Sequence, residues 1–205
     1  VSTASQSKPF STRERKGPLS SSPELWRELE EGKLLSVVLK DFYARVFLDS
    51  RLAHFFEGIT QSRVAEQQYS FLRGIIAGER GYFGDRPRNA HHWMVISNEL
   101  FDYREELLCS CFRRAGLSDR GVEKIRLIDE SFRKQIVKEK ARAKKLHGVP
   151  IPLEGFNDII LEFGTLCDAC ESPIDVGGRG TYHVRTGRTI CTRCAEKTLP
   201  NRQVS

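Results

Sequence analysis

KLLSVVLKDFYARVF, residues 33–47, reads as a helix that must bury one face. Leu34, Leu35, Val38, Phe42, Tyr43, Val46 and Phe47 recur at the three-four spacing of a helical stripe. Tyr43 carries a hydroxyl onto that stripe, and a buried hydroxyl needs a partner. Upstream, Ser22-Pro23 is a helix start, with the serine as cap and the proline in the first turn. Downstream, Asp49-Ser50 breaks the helix and 52–56 is a short apolar segment. The next helical stripe reads Val64, Gln68, Leu72 and Ile75, with Phe71 beside it, and Gln68 is its polar intruder. Gly78, Gly81, Gly84 and Pro87 then make an irregular connection to His91. Ser97 caps a helix whose inner face is predicted to carry Leu100, Arg104, Leu107, Leu108, Cys111 and Phe112, and Gly116 stops it. Ser118 opens a final long helix through Ile125, Ile128, Phe132 and Ile136.

The texture changes after Gly148. Pro150 and Pro152 bar further helix, 158–165 and 181–185 read as strands, and 186–188 as a turn. The fold class is therefore mainly α over 22–146, a linker and strand over 147–164, and a small β-rich module over 165–199. Residues 1–21, dense in Ser with Pro9 and Pro18, read as a disordered arm, and 200–205 as a tail. A length of 205 residues suits one ordinary domain with a small satellite.

The net charge of +6 is unevenly spread. The stretch 133–146 holds seven Lys/Arg against Glu139, and outside it and the basic first twenty residues the balance is acidic. That argues against a broad nucleic-acid surface and for a solvated helix end, where cations complement the macrodipole. No apolar run approaches membrane-spanning length, and none near the start resembles a secretory leader. The expectation is a cytoplasmic protein, or one of an organelle matrix if the arm is a targeting remnant.

Cys167/Cys170 and Cys191/Cys194 are two C-x-x-C pairs separated by twenty residues. The spacing fits a tetrahedral thiolate site in a zinc ribbon, and so small a module needs a metal to fold. Iron and a pair of disulfides are the alternatives; the knuckles lack the Pro and Gly of rubredoxin-type iron sites. Arg179, Arg185, Arg188 and Arg193 are expected to balance thiolate charge, and only Tyr182 offers a stacking ring. Structural stabilisation or a protein partner is thus favoured over nucleic acid. Cys109 and Cys111 lie on different helix faces, one in the core and one at the surface, with Cys109 the candidate exposed thiol.

A histidine on one side of an apolar slot, with a hydroxyl and an amide reaching in from the other, suits a haem iron and a small gas. Without further context a lone histidine such as His91 is more often an ordinary core or surface residue than a ligand. The run Asp41-Phe42-Tyr43-Ala44-Arg45-Val46, then Asp49, Leu52 and Phe55-Phe56-Glu57-Gly58, resembles the truncated haemoglobins, group I most closely. The resemblance continues without gaps through Arg63, Gln68, Phe71 and Tyr82-Phe83-Gly84 to His91 and Ile96-Ser97, and covers roughly residues 24–140.

That resemblance implies haem b held by His91 as proximal ligand, with Phe56 against the porphyrin face. It implies Tyr43 and Gln68 as the distal hydrogen-bonding pair, Val64 at the gate, and Leu72, Tyr82 and Ile96 lining the pocket. It further implies binding of dioxygen, nitric oxide or carbon monoxide, with nitric oxide dioxygenation as an accessible activity. A gas sensor or adaptor acting through the ribbon, and a haem-free structural subunit, are the alternatives. Arg104 departs from the family's apolar pattern, and it is expected to reach a haem propionate, to bind an anion in the pocket, or to mark a rotated helix.

Overall fold

The computed structural model describes residues 21–79, 85–146, 149–150 and 153–199. Most of the expected arm, Gly81, Tyr82, Gly84 and the tail lie outside the described residues.

Helix α1 (Pro23–Glu28) starts as its sequence requires, with the Ser22 hydroxyl accepting from Leu25 N–H at 3.4 Å. A 3-10 turn, Glu30–Gly32, reverses the chain into α2 (Lys33–Val46). Gly32 sits at φ +93°, and a Cβ there would lie 2.5 Å from both Trp26 Cη2 and the Tyr69 hydroxyl. Position and space thus both demand glycine. Gly32→Ala is expected to cost about 2 kcal/mol or more, read as a lowered urea midpoint at unchanged slope. An unchanged midpoint would mean that this turn relaxes freely.

A second 3-10 turn (Ala53–Phe56) leads to α3 (Gln61–Ile76), then come the short α4 (Pro87–Ala90), α5 (Asn98–Arg114), α6 (Asp119–Glu130) and α7 (Arg133–Ile136). Helix α2 packs on both α3 and α5, and α5 packs on α6. The helices thus form a sandwich around one core. Leu35, Val38, Leu39, Phe42 and Val46 of α2 meet Leu72, Ile76, Leu108, Phe112 and Ile125 in one core. Ser97 and Ser118 cap α5 and α6, and Gly116 ends α5 at φ +88°.

Three expectations about the helices are corrected. The fully buried stripe of α5 is Phe101, Glu105, Leu108, Cys109, Cys111 and Phe112, while Leu100, Arg104 and Leu107 are half-buried. Leu108, Cys111 and Phe112 are thus buried as predicted, Leu100 and Leu107 pack at the edge of the core, and Phe101, Glu105 and Cys109 were missed. The final helix is not continuous: α6 ends at Glu130 and only α7 follows, so most of the 133–146 cations are not on a helix end. Cys109 and Cys111 are both buried, and burial pushes the Cys109 thiol up to about 11, which makes it unreactive.

The remainder is β-rich. Strand β1 (Lys145–Leu146) pairs with β2 (Val149–Pro150). Strand β3 (Phe156–Ile160) joins an antiparallel sheet in the order β3-β6-β7 with β6 (Arg179–His183) and β7 (Thr189–Cys191). A separate hairpin pairs β4 (Thr165–Leu166) with β5 (Pro173–Ile174), and α8 (Thr192–Thr198) closes the module. The predicted strand 158–165 is therefore two strands, interrupted after Ile160, that pair in different sheets.

Candidate functional site

His91 follows α4, whose first helical residue is Pro87. The turn brings His91 Nδ1 to 2.9 Å from Pro87 O, four residues back. With Nδ1–H donating there, the lone pair sits on Nε2. Burial drives the His91 pKa down to about 4, so the ring is neutral at neutral pH. His92 turns away: its Nδ1 bonds Asn89 O at 2.7 Å, and its Nε2 is buried without a partner.

Residues 137–144 lace this turn in place. Lys138 N–H donates to Ile96 O at 3.0 Å and Arg142 N–H to His92 O at 2.8 Å. The Lys138 ammonium is buried and donates to His91 O at 2.6 Å and Ile136 O at 3.2 Å, and burial lowers its pKa to about 8. The solvated helix end expected from the charge run is thus partly an internal clasp. Its signal was missing because a cation buried against carbonyl oxygens looks, in sequence, like any surface lysine.

Across α2 and α3, the Tyr43 hydroxyl donates to Gln68 Oε1. Tyr43 is buried, and its ring meets Phe56 edge-on at 5.9 Å between centroids. Phe47 also packs on Phe56, at 5.2 Å between centroids. Leu72 and Ile96 are buried; Val64, Phe71, Ile75, Leu100 and Leu107 are apolar yet only half-buried. Arg104 does not hang free. Its Nη1 lies 2.6 Å from both carboxylate oxygens of Asp129 on α6, and its guanidinium lies 5.1 Å over the Phe42 ring. The sequence signal for Asp129 was present but unused: an arginine on an inner face demands a facing acid.

The four cysteines converge as expected, with all Sγ atoms within 4.8 Å of one another. Cys170 and Cys191 are 3.9 Å apart, close to the edge of about 3.8 Å that a tetrahedron with bonds of about 2.3 Å requires. Hydrogen bonds from Ser172 hold Cys170 down to about 5, and the bond with Cys170 pushes Cys194 up to about 12. Sulfurs this close ionise together only around a cation. Of the arginines expected to balance them, Arg193 does face Cys170, at 4.0 Å. Arg185 instead bonds Glu154 and lies over Trp93, and Arg188 lies against Gly58.

Between the two centres lies a contact that the sequence did not disclose. Asp168, inside the first knuckle, is paired with Arg63 on α3 and accepts from Thr60 Oγ1 at 2.8 Å.

A family model described as bacterial-like globin matches residues 30–145. The chain belongs to the bacterial-like globins. It is 27% identical over 116 residues to a group 1 truncated haemoglobin of Tetrahymena thermophila, a match covering 57% of this chain and 96% of that protein. A group 1 truncated haemoglobin of Mycolicibacterium paratuberculosis is 29% identical over 91 residues, 44% of this chain and 67% of that one. The crystal structure of truncated haemoglobin from Tetrahymena pyriformis in its Fe(III) form superposes with a TM-score of 0.51 at 27% identity, covering 55% of this chain and 97% of that one.

Residues 30–145 are thus a group 1 truncated haemoglobin domain, followed by a β-rich region with a four-cysteine cluster able to hold a metal ion. Membership implies haem and a diatomic ligand. The residues present fit that group: a neutral imidazole with Nδ1 engaged, and half-buried apolar side chains on the facing helices. Among the described residues no helix is long and apolar enough to cross a membrane.

Proposed function

We propose that the globin domain holds one haem b through His91 Nε2 and binds dioxygen reversibly, with carbon monoxide and nitric oxide as further ligands. The haem supplies the iron that takes the gas; this chain's residues set how long the gas stays. The observation that carries the reading is the Tyr43–Gln68 hydrogen bond, two polar groups joined on otherwise apolar helix faces. With its Oε1 accepting from Tyr43, Gln68 has its amide N–H groups left to donate to a ligand carrying partial negative charge. Phe56 would pack against the porphyrin, and Val64, Leu72, Tyr82 and Ile96 would line the remainder. Val64 offers no polar group at the gate, so the hydrogen-bonding duty falls on the pair. The same pocket supports nitric oxide dioxygenation, in which dioxygen oxidises nitric oxide to nitrate.

Tyr43→Phe removes the group that orients Gln68 and leaves its Oε1 without that donor. A hydrogen bond of about 1–3 kcal/mol in a dry pocket corresponds to release of dioxygen faster by roughly tenfold or more. Stopped-flow displacement of dioxygen by carbon monoxide reads this directly. An unchanged release rate would remove Tyr43 from the distal role.

In the four-cysteine site we propose zinc, which tetrahedral thiolates favour. An absorption spectrum with metal analysis tests both centres at once: one iron and one zinc per chain is expected. Absence of iron would favour a haem-free structural globin. A second reading, gas sensing through the ribbon, is supported by the Arg63–Asp168 pair that joins the two regions.

A further inference from the structure

We propose that the metal of the four-cysteine site regulates gas release from the globin by holding the start of α3 through Asp168. The proposal rests on the readings that the cysteines bind a metal and that His91 holds a haem.

Asp168 lies between two of the metal-binding cysteines, and its side chain is fully buried, 0% exposed. It bridges its own module and the globin. Oδ1 accepts from Thr60 Oγ1 at 2.8 Å and from Thr60 N–H at 3.4 Å. Oδ2 accepts from Arg63 Nη1 and from Thr189 N–H at 2.6 Å. Arg63 Nη2 also reaches Gly187 O at 3.2 Å and Thr189 Oγ1 at 3.3 Å. Thr60 is the N-cap residue of α3, and its own side chain makes no capping bond. A carboxylate from the metal knuckle thus stands at the N-terminus of α3, where negative charge is favoured.

Two neighbours on α3 give this contact its consequence. Val64 follows Arg63 directly, and Gln68, bonded to Tyr43, lies about one turn further on. The position of Asp168 is set in turn by the knuckle. Its N–H donates to Thr189 O at 2.8 Å, and Cys191 N–H donates to Cys167 Sγ at 3.3 Å. Among the described residues the module's buried apolar cluster is Cys167, Ile174 and Ile190, with Leu161 and Ala195 packed against it, so without metal little keeps the knuckle in shape. Losing that shape strands Arg63, only 18% exposed, without its counter-ion. Arg63 is then left in water, and the N-terminus of α3 loses the carboxylate that accepts from Thr60 N–H, which frees its first turn. Metal-bound and metal-free chains therefore set Gln68 differently.

Coupling of this kind is reciprocal: metal must change gas affinity by the same factor as gas changes metal affinity. The test uses the full chain with zinc alone as the metal probe and carbon monoxide as the gas. Zinc affinity is measured by competition with a chromogenic chelator, for haem-loaded and haem-free protein and for Arg63→Met and Thr60→Val. We expect Arg63→Met to weaken zinc binding about tenfold even without haem, and Thr60→Val less. We expect stripping zinc to change the carbon monoxide dissociation rate by roughly fivefold or more, within the usual range of allosteric coupling. Circular dichroism confirms that each variant keeps its helices. If zinc binds tightly but equally in both variants and the wild type, and gas release ignores zinc, the coupling is refuted while the metal reading stands. If no stoichiometric zinc binds, the metal reading itself fails and the proposal with it.

Discussion

Purified His91→Ala protein is expected to lack a Soret band, and reconstitution with haem is expected to restore a globin-like spectrum only when imidazole is added. The expectation follows from the local geometry of α4 and its exit. Nδ1 of His91 is committed to Pro87 O, the ring is neutral, and Nε2 is the lone-pair atom offered to the pocket. His92 cannot replace it, because its ring is anchored to Asn89 O and is only 3% exposed. A full Soret band in His91→Ala that disappears in His92→Ala would reverse the assignment. Imidazole rescue separates loss of a ligand from loss of the fold.

The same burial makes a pH prediction. Folded His91 has its pKa lowered from 6.5 to about 4. Between those values the unfolded chain binds the proton and the folded, haem-free chain does not. Stability of the haem-free protein therefore falls as pH drops from about 6.5 to about 4, and this group adds no further loss below that. His91→Gln should flatten that part of the urea-midpoint profile. A profile identical to wild type would mean that the loss belongs to other groups.

Stripping the metal is the second large effect. The helical core joins long apolar faces of α2, α3, α5 and α6, whereas the C-terminal module buries a cluster of three residues. Structural zinc contributes roughly 10 kcal/mol or more to modules of this kind, most of their stability. A strong chelator is therefore expected to expose β4–β7 to amide exchange and proteolysis while α2, α5 and α6 stay protected. Cys167→Ser should mimic the chelator, since Cys167 is wholly buried and its Sγ receives the N–H groups of Ala169 and Cys191. If the metal-free module exchanges as slowly as the loaded one, its fold does not depend on the metal.

Much of the helical architecture was legible because local chemistry dictates it. Ser22-Pro23, Ser97, Ser118 and Gly116 mark helix ends where the structure has them, and the α2 stripe packs as its spacing requires. Tyr43 and Gln68 were picked out as polar intruders on separate helices, and the fold brings them into one hydrogen bond. The cysteine spacing likewise announced its cluster, because short knuckles leave the sulfurs few other arrangements.

The unread features all depend on partners far apart in the chain. Arg104 called for an acid, but only the docking of α6 on α5 shows that the acid is Asp129. Lys138 looked like part of a solvated run until its segment crossed the His91 turn. Asp168 and Arg63 are 105 positions apart, and nothing in either neighbourhood anticipates the other. Hydrophobic period, caps and knuckle spacing are properties of a few consecutive residues, so the chain alone specifies them. Which buried charge meets which counter-charge depends on how whole elements dock. In this protein the Arg63–Asp168 pair is one of the contacts by which the helical and β-rich regions dock.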